Sequence, residues 1–210
     1  MKADPARKRY DRIAPLYELL QGPAEGKVAV WRGKLWAEVR GGRVLEVGVG
    51  TGRNFVHYSH TARVTAVDVS PRMLARARTR AERLGLAIDL REMDVRSLDF
   101  PDDSFDSAVA TFVFCSVADP VRGMRELSRV VRGGGKVLLL EHVRPRGRLL
   151  GWLFDVLSPF TVRLFGFRLN RRTVDNVRRA GLELERVEDL DRLGIVKLIV
   201  ARPPEEVCDG

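Results

Sequence analysis

The chain has 210 residues, 45% of them hydrophobic, which is enough to bury one substantial core and gives no reason to expect more than one domain. Basic residues outnumber acidic ones by 37 to 28, a formal charge of +9, and only six of the basic residues are lysines, so arginine carries the charge. That balance suits nucleic acid or an anionic membrane surface, and equally suits plain composition bias, because net charge governs association and not fold. Cys115 and Cys208 lie far apart with no Cys-x-x-Cys or Cys/His spacing, which argues against a disulfide framework and a metal site and for a reducing compartment. The opening residues, Met1-Lys2-Ala3-Asp4-Pro5-Ala6-Arg7-Lys8-Arg9, are charged and lack an apolar stretch, so a cytoplasmic protein without signal peptide or N-terminal anchor is expected.

In chain order the pattern predicts helices over about 4–21 and 24–40, a strand over 43–48, a helix after the following glycines, and a strand over 63–68. A helix over 71–84 starts at Ser70-Pro71, where serine can cap free N–H groups and proline suits the first helical position. Strands over 87–93 and 106–112, a helix over 119–132, a turn at Gly133-Gly134-Gly135 and a strand over 136–142 follow. An apolar insertion occupies about 145–170, and a helix over 171–180 ends at Gly181, where a left-handed cap is expected. Strands over 182–189 and 194–201 are close enough to form a hairpin. The alternation of strands and helices predicts one α/β domain, a doubly wound Rossmann-like seven-stranded sheet with a C-terminal antiparallel hairpin and ligands at the carboxyl ends of the strands.

The chemistry concentrates at Val44-Leu45-Glu46-Val47-Gly48-Val49-Gly50-Thr51-Gly52, a buried strand running into alternating glycines. Gly48, Gly50 and Gly52 let the backbone turn tightly and approach a ligand. A nicotinamide fingerprint needs its third glycine one residue later, where Arg53 stands, and no Gly-Lys-Ser/Thr follows, so neither a dinucleotide nor a triphosphate loop is present. Glu46 suits pairing with an ammonium group or orienting the loop. Asp68 ends the second strand, where doubly wound folds place an acid that accepts from ribose hydroxyls. Asp94 closes the third strand at the same sheet edge, where a carboxylate can accept from an exocyclic amine.

With Asp68-Val69-Ser70-Pro71-Arg72-Met73-Leu74, Leu98-Asp99-Phe100-Pro101-Asp102-Asp103-Ser104-Phe105-Asp106 and Arg132-Gly133-Gly134-Gly135 following the glycine run, the chain resembles class I S-adenosylmethionine-dependent methyltransferases over roughly 10–201. The resemblance implies that Glu46 and the glycines surround the methionine moiety and that Asp68, with Val69 beside it, binds the ribose. It further implies that Met73 packs near the adenine, that Asp94 with Val95 holds the adenine, and that Thr111 lies beside the methionine portion. Gly133 stands where the family usually has proline.

The acceptor is less legible. Tyr10-Asp11-Arg12-Ile13-Ala14-Pro15-Leu16-Tyr17 resembles the lid of quinone-ring and phospholipid methyltransferases, which implies that Tyr10 and Tyr17 cover the cofactor and face the acceptor. A plain amphipathic helix explains the segment as well. His142, at the end of the fifth strand, has the chemistry to take a proton from an amine, thiol or carbon acid, or serves structurally. Cys115 reads as a buried structural thiol. Residues 149–167 are apolar and aromatic but interrupted by Asp155, Pro159 and Arg163, so they do not make a convincing span. Flanking arginines give the segment the character of helices lying in an anionic bilayer surface, and a wall of an apolar pocket or a dimer contact fits too. Phe114-Cys115-Ser116-Val117 with Glu141-His142-Val143 is similar to membrane-associated thiol methyltransferases, while the glycine run and short chain resemble bacterial phosphatidylethanolamine N-methyltransferases. The expectation is therefore methylation of a small-molecule or lipid acceptor, foremost a phospholipid amine, with a thiol or quinone ring as alternatives. A nucleic-acid methyltransferase is disfavoured because Thr111-Phe112-Val113-Phe114 replaces an Asn/Asp-Pro-Pro-Tyr-type motif, and a silent cofactor-binding protein ranks below it.

Overall fold

The computed structural model describes residues 7, 10–12, 25–145, 147–164, 168 and 170–204. Within them α1 (Glu25–Trp36) precedes β1 (Gly42–Val47), β2 (Ala62–Asp68), α2 (Pro71–Arg83), β3 (Asp89–Glu92) and β4 (Phe105–Thr111). Next come α3 (Pro120–Val130), β5 (Val131–His142), α4 (Arg148–Leu164), α5 (Thr173–Arg179), β6 (Glu183–Asp189) and β7 (Val196–Arg202). The seven strands form one sheet in the order β3-β2-β1-β4-β5-β7-β6, with β7 antiparallel to both neighbours and the other pairs parallel. The doubly wound sheet with its terminal hairpin is the predicted one. Residues 7 and 10–12 are helical; the rest of the predicted 4–21 helix lies outside the described residues.

The central strands are apolar throughout because both faces are covered. Leu45, Ala108, Leu139 and Ile199 meet Met124 and Leu127 of α3 and Val177 of α5, while Val44, Val109, Leu138 and Leu198 meet Leu35 and Trp36 of α1. Helix α2 packs Leu74 and Ala77 on Ala66. Its start is the expected one: the Ser70 side chain accepts from Met73 N and Pro71 opens the helix. Helix α3 repeats the device with Asp119 and Pro120, and Gly181 carries the expected left-handed φ of +87°.

Two local expectations fail. No α-helix follows the glycine run; residues 51–54 form tight turns and only Phe55–His57 make a 3₁₀ turn. The chain leaves helical geometry at Tyr58, whose ring packs on Trp36 with centroids 4.4 Å apart and on Phe55 at 5.3 Å. The Gly133–135 turn is instead a bulge inside β5: Phe105 faces Val131 but Ser107 faces Lys136, so the extra residues loop out without breaking the strand.

The bulge turns back so closely that a Cβ on Gly135 would stand 2.7 Å from Asp106 O and 2.8 Å from Arg132 O. Gly133 has open space instead. Gly135→Ala is therefore expected to destabilise the fold by about 1–3 kcal/mol in urea denaturation. Gly133→Ala serves as the neighbouring control, expected within roughly 0.5 kcal/mol of the parent.

Candidate functional site

A cleft opens at the carboxyl ends of β1, β2 and β4. Gly48, Gly50, Asp68, Val69, Met73 and Thr111 line it, and Asp94, Val95 and Tyr10 complete the sequence-expected part of the wall. Sequence reasoning missed Met93, Arg96, Phe112, Val113, Ser116 and Val117, which also line it. Periodicity assigned those residues to a strand end and a loop, and only the sheet order brings them opposite the glycines.

Each glycine has its own reason. Gly48 has φ +65°, and a Cβ there would stand 2.5 Å from a Val113 methyl, so its absence lets the β4 loop close against the turn. Gly50 has φ +56°, and a Cβ there meets no atom within 4 Å, so its bare face is a cradle that a side chain would fill. Gly52 does not line the cleft; a Cβ would lie 2.3 Å from the Phe55 ring, which makes this glycine a packing requirement.

Asp68 is held at the cleft edge by Gly50 N at 2.8 Å and Ser70 N at 2.9 Å. Burial nonetheless raises its carboxyl to about 6, against the opposing backbone hydrogen bonds from Ser70 and Gly50. Asp94 sits just beyond β3 and is gripped by Arg96 Nε at 3.0 and 3.1 Å. Partial burial works against its ionisation, but the Arg96 hydrogen bonds and charge outweigh this and hold it below the usual carboxylate range. A carboxylate offers about four lone-pair positions, so Asp68 retains acceptor capacity toward a ligand, whereas Arg96 makes two contacts to each oxygen of Asp94, and a ligand there would compete with it. Met73 and Val95 supply apolar surface between them. Paired acids, apolar walls and an open glycine cradle fit an adenosine carrying a polar tail.

The N-terminal segment is anchored by a residue that sequence reasoning passed over. Asp11 Oδ1 accepts from Ser70 Oγ at 2.6 Å, and its carbonyl accepts from Arg72 at 3.2 Å, which brings the neighbouring Tyr10 to the cleft. Arg7 ties the same segment to Glu92 at 2.8 Å. Tyr17 lies outside the described residues.

Two expected residues stand elsewhere. Glu46 is 1% exposed and points to the α1 face, where Asn54 donates to one oxygen at 2.6 Å and Tyr58 to the other. Asn54 in turn accepts from Arg32 at 2.8 Å and donates to Thr111, so Glu46 orders the turn from behind and does not line the cleft. His142 is absent from the cleft wall as well; its ring stacks on Phe112 with centroids 4.3 Å apart, and burial lowers its pKa. The pleat puts both on the same covered face of the sheet as Val44 and Leu138.

On the opposite face Glu141 Oε1 accepts from Val113 N at 2.8 Å and Phe114 N at 2.9 Å. Those bonds fix the loop that begins at Phe112, whose φ of +56° is strained for a bulky side chain. Burial raises Glu141 to about 7 against the hydrogen bonds from Phe114 and Val113. Cys115 lies buried in the same loop, donates to Phe112 O at 3.4 Å, and has its thiol pushed far up by burial. It is structural, as expected.

Burial also raises Glu46, to about 7, despite hydrogen bonds from Tyr58 and Asn54. The unfolded chain ionises this residue first, so its contribution to stability is full below about pH 4.5 and is lost as pH rises through about 7. Glu46→Gln removes that loss. The variant's unfolding free energy relative to the parent is expected to rise by about 3 kcal/mol between pH 4.5 and 8 in urea titrations, and a pH-independent gap would show Glu46 already ionised when acid.

A family model described as a methyltransferase domain matches residues 45–139. The chain is 51% identical over 113 residues to a phosphatidylethanolamine N-methyltransferase of Cereibacter sphaeroides, covering 52% of this chain and 56% of that one. It is 34% identical over 154 residues to a demethylmenaquinone methyltransferase of Thermus thermophilus, covering 70% of each. The chain thus spans little more than half the length of the first relative. Among solved structures, the [4+2]-cyclase SpnF superposes with a TM-score of 0.78 at 20% identity, covering 97% of this chain and 96% of that one. Geranyl diphosphate C-methyltransferase from Streptomyces coelicolor, solved with S-adenosyl-L-homocysteine, gives 0.66 at 14% identity, covering 84% and 78%. These structures share the fold; the sequence relatives and the domain match carry the assignment, and the chain belongs to the S-adenosylmethionine-dependent methyltransferases.

Proposed function

We propose that the protein transfers a methyl group from S-adenosylmethionine to the amine of a phospholipid at a membrane surface, as in phosphatidylethanolamine N-methylation. The observation that carries this reading is the reversed polarity of α4. Its inward stripe is small and polar: Gly151 lies buried under the Arg144 guanidinium, half-exposed Asp155 pairs with Arg144 at 2.8 Å, and buried Ser158 bonds to Asn170 at 2.9 Å. Its exposed stripe is apolar: Leu149, Trp152, Leu153, Val156 and Phe160, with Trp152 at 60% and Phe160 at 62% exposure. A helix that turns its small and polar face inward and shows its apolar face to water suits an apolar medium. Arg148 and Arg163 at its ends supply charge for anionic headgroups. No helix among the described residues is long and apolar enough to cross a membrane.

When bound, the cofactor supplies an electrophilic methyl on a sulfonium. The chain's own part is positioning: Asp68 accepts from the ribose hydroxyls, Asp94 from the adenine amine, Met73 and Val95 flank the ring, and the Gly48 and Gly50 turn passes the methionine tail. Tyr10 closes the cleft on the acceptor side. Displacement at the methyl needs alignment and exclusion of water more than a dedicated base, which is consistent with His142 standing behind Phe112. The relationship to the Cereibacter sphaeroides enzyme supports a phospholipid amine. A quinone-ring C-methyltransferase is the second reading, supported by the longer alignment with the demethylmenaquinone enzyme.

Purified protein given labelled S-adenosylmethionine and vesicles of phosphatidylethanolamine with phosphatidylglycerol is expected to yield methylated lipid by mass spectrometry. Transfer to demethylmenaquinone alone would replace the first reading with the second. A Trp152→Ser/Phe160→Ser variant is expected to lose at least about tenfold in vesicle co-sedimentation, because each large side chain contributes roughly 1.5–3 kcal/mol on leaving water. Cofactor affinity, measured without vesicles, should not move.

A further inference from the structure

A second cavity of about 340 Å³ lies on the α5 side of the sheet, within the roughly 300–1,000 Å³ range of small-ligand pockets, and shares no lining residue with the cofactor cleft. Four arginines, Arg144, Arg171, Arg172 and Arg178, line it together with Lys197; Asp175 is its one acidic wall residue among those described. Three carboxylates answer these five cations. Asp155 takes Arg144 at 2.8 Å, Asp175 stands 3.6 Å from Arg178, and Asp189 takes Lys197. The surplus is two positive charges, or one when the neighbouring Glu141, raised by burial to about 7, is ionised.

Two polar atoms here have no hydrogen-bond partner although both are buried: the Thr173 hydroxyl, on a residue with 0% exposure, and Arg171 Nε. Buried polar atoms without partners are rare and call for an explanation, and an anion in this cavity offers acceptors to donors of this kind. Guanidinium forks match the spacing of phosphate oxygens. One hydrogen bond links the two walls: Arg171 donates to the carbonyl of Val117, which lines the cofactor cleft.

We propose that this cavity binds a phosphate group and that, resting on the function proposed above, the group is the phosphodiester of the acceptor's headgroup. Two carbons separate that phosphodiester from the amine of an ethanolamine lipid. Recognition of the phosphate beside Arg171 selects zwitterionic phospholipid over acceptors that carry no phosphate.

The test is calorimetric binding of inorganic phosphate, glycerophosphoethanolamine and ethanolamine to the purified full chain. The first two are expected to bind and ethanolamine is not. Thr173→Val keeps the side chain's shape and removes only an unpartnered hydroxyl, so the fold and S-adenosylmethionine affinity should persist while phosphate binding weakens about tenfold. An Arg172→Gln/Arg178→Gln variant, altered at two exposed positions, should show the same loss if Thr173→Val folds poorly. Binding that is absent from the parent, or equal in parent and variants, overturns the phosphate site. Where the variants do lose phosphate, the KM for short-chain phosphatidylethanolamine separates the sources. A roughly tenfold rise with kcat little changed assigns the site to the headgroup. An unchanged KM overturns that assignment in favour of free phosphate. Thr173-dependent phosphate binding in a protein that methylates no phosphatidylethanolamine would keep the site and sink the proposed function.

Discussion

The cleft depends on two carboxylates held out of water, one on each face of the sheet. Glu46 on the α1 face collects Asn54 and Tyr58 and so fixes the turn after β1. Glu141 on the α5 face collects the backbone N–H groups of Val113 and Phe114 and so fixes the loop after β4. Neither touches the opening they create. Both sit at the strand ends, where backbone groups leave the sheet ladder and need other partners, and a carboxylate satisfies several donors at once. Burial raises both toward neutrality, the energetic penalty of using ionisable groups as internal braces.

With the two loops braced, glycine becomes a geometric necessity at the turn. Val113 presses on Gly48 and Phe55 on Gly52, while Gly50 alone leaves open space. Asp68 is brought to the same place by hydrogen bonds from Gly50 and Ser70, and Ser70 is shared with Asp11 of the N-terminal segment. The same short stretch therefore caps α2, orients the cleft acid and holds Asp11. A perturbation at any one of these residues reaches the other two.

The fold leaves the chemistry open, as its similarity to a [4+2]-cyclase and to several methyltransferases illustrates. What distinguishes this chain lies beyond β5. There α4 exposes an apolar stripe, and arginines gather between α4 and α5 around a buried threonine with no partner. The apolar outer surface and the cationic inner cavity are the two features on which the proposed phospholipid acceptor rests.

The alternation of apolar runs with helical periodicity determined the doubly wound sheet, because strands buried on both faces have no other composition open to them. Ser70-Pro71 and Gly181 determined helix ends through local hydrogen bonding and φ alone, and the glycine run with Asp68 and Asp94 determined where a nucleoside-like ligand would meet the sheet. Strand pleat, by contrast, decided that Glu46 and His142 face a covered side; a motif names residues at a strand end without saying which way each points. Long-range packing decided that Gly52 serves Phe55, that the Gly133–135 segment bulges within β5, and that Tyr58 ends the segment expected to be helical. The gathering of Arg144, Arg171, Arg172 and Arg178 about Thr173 is likewise a property of the assembled chain, since it joins residues about 30 positions apart whose adjacency no local pattern records, and only packing decides which stripe of α4 turns inward.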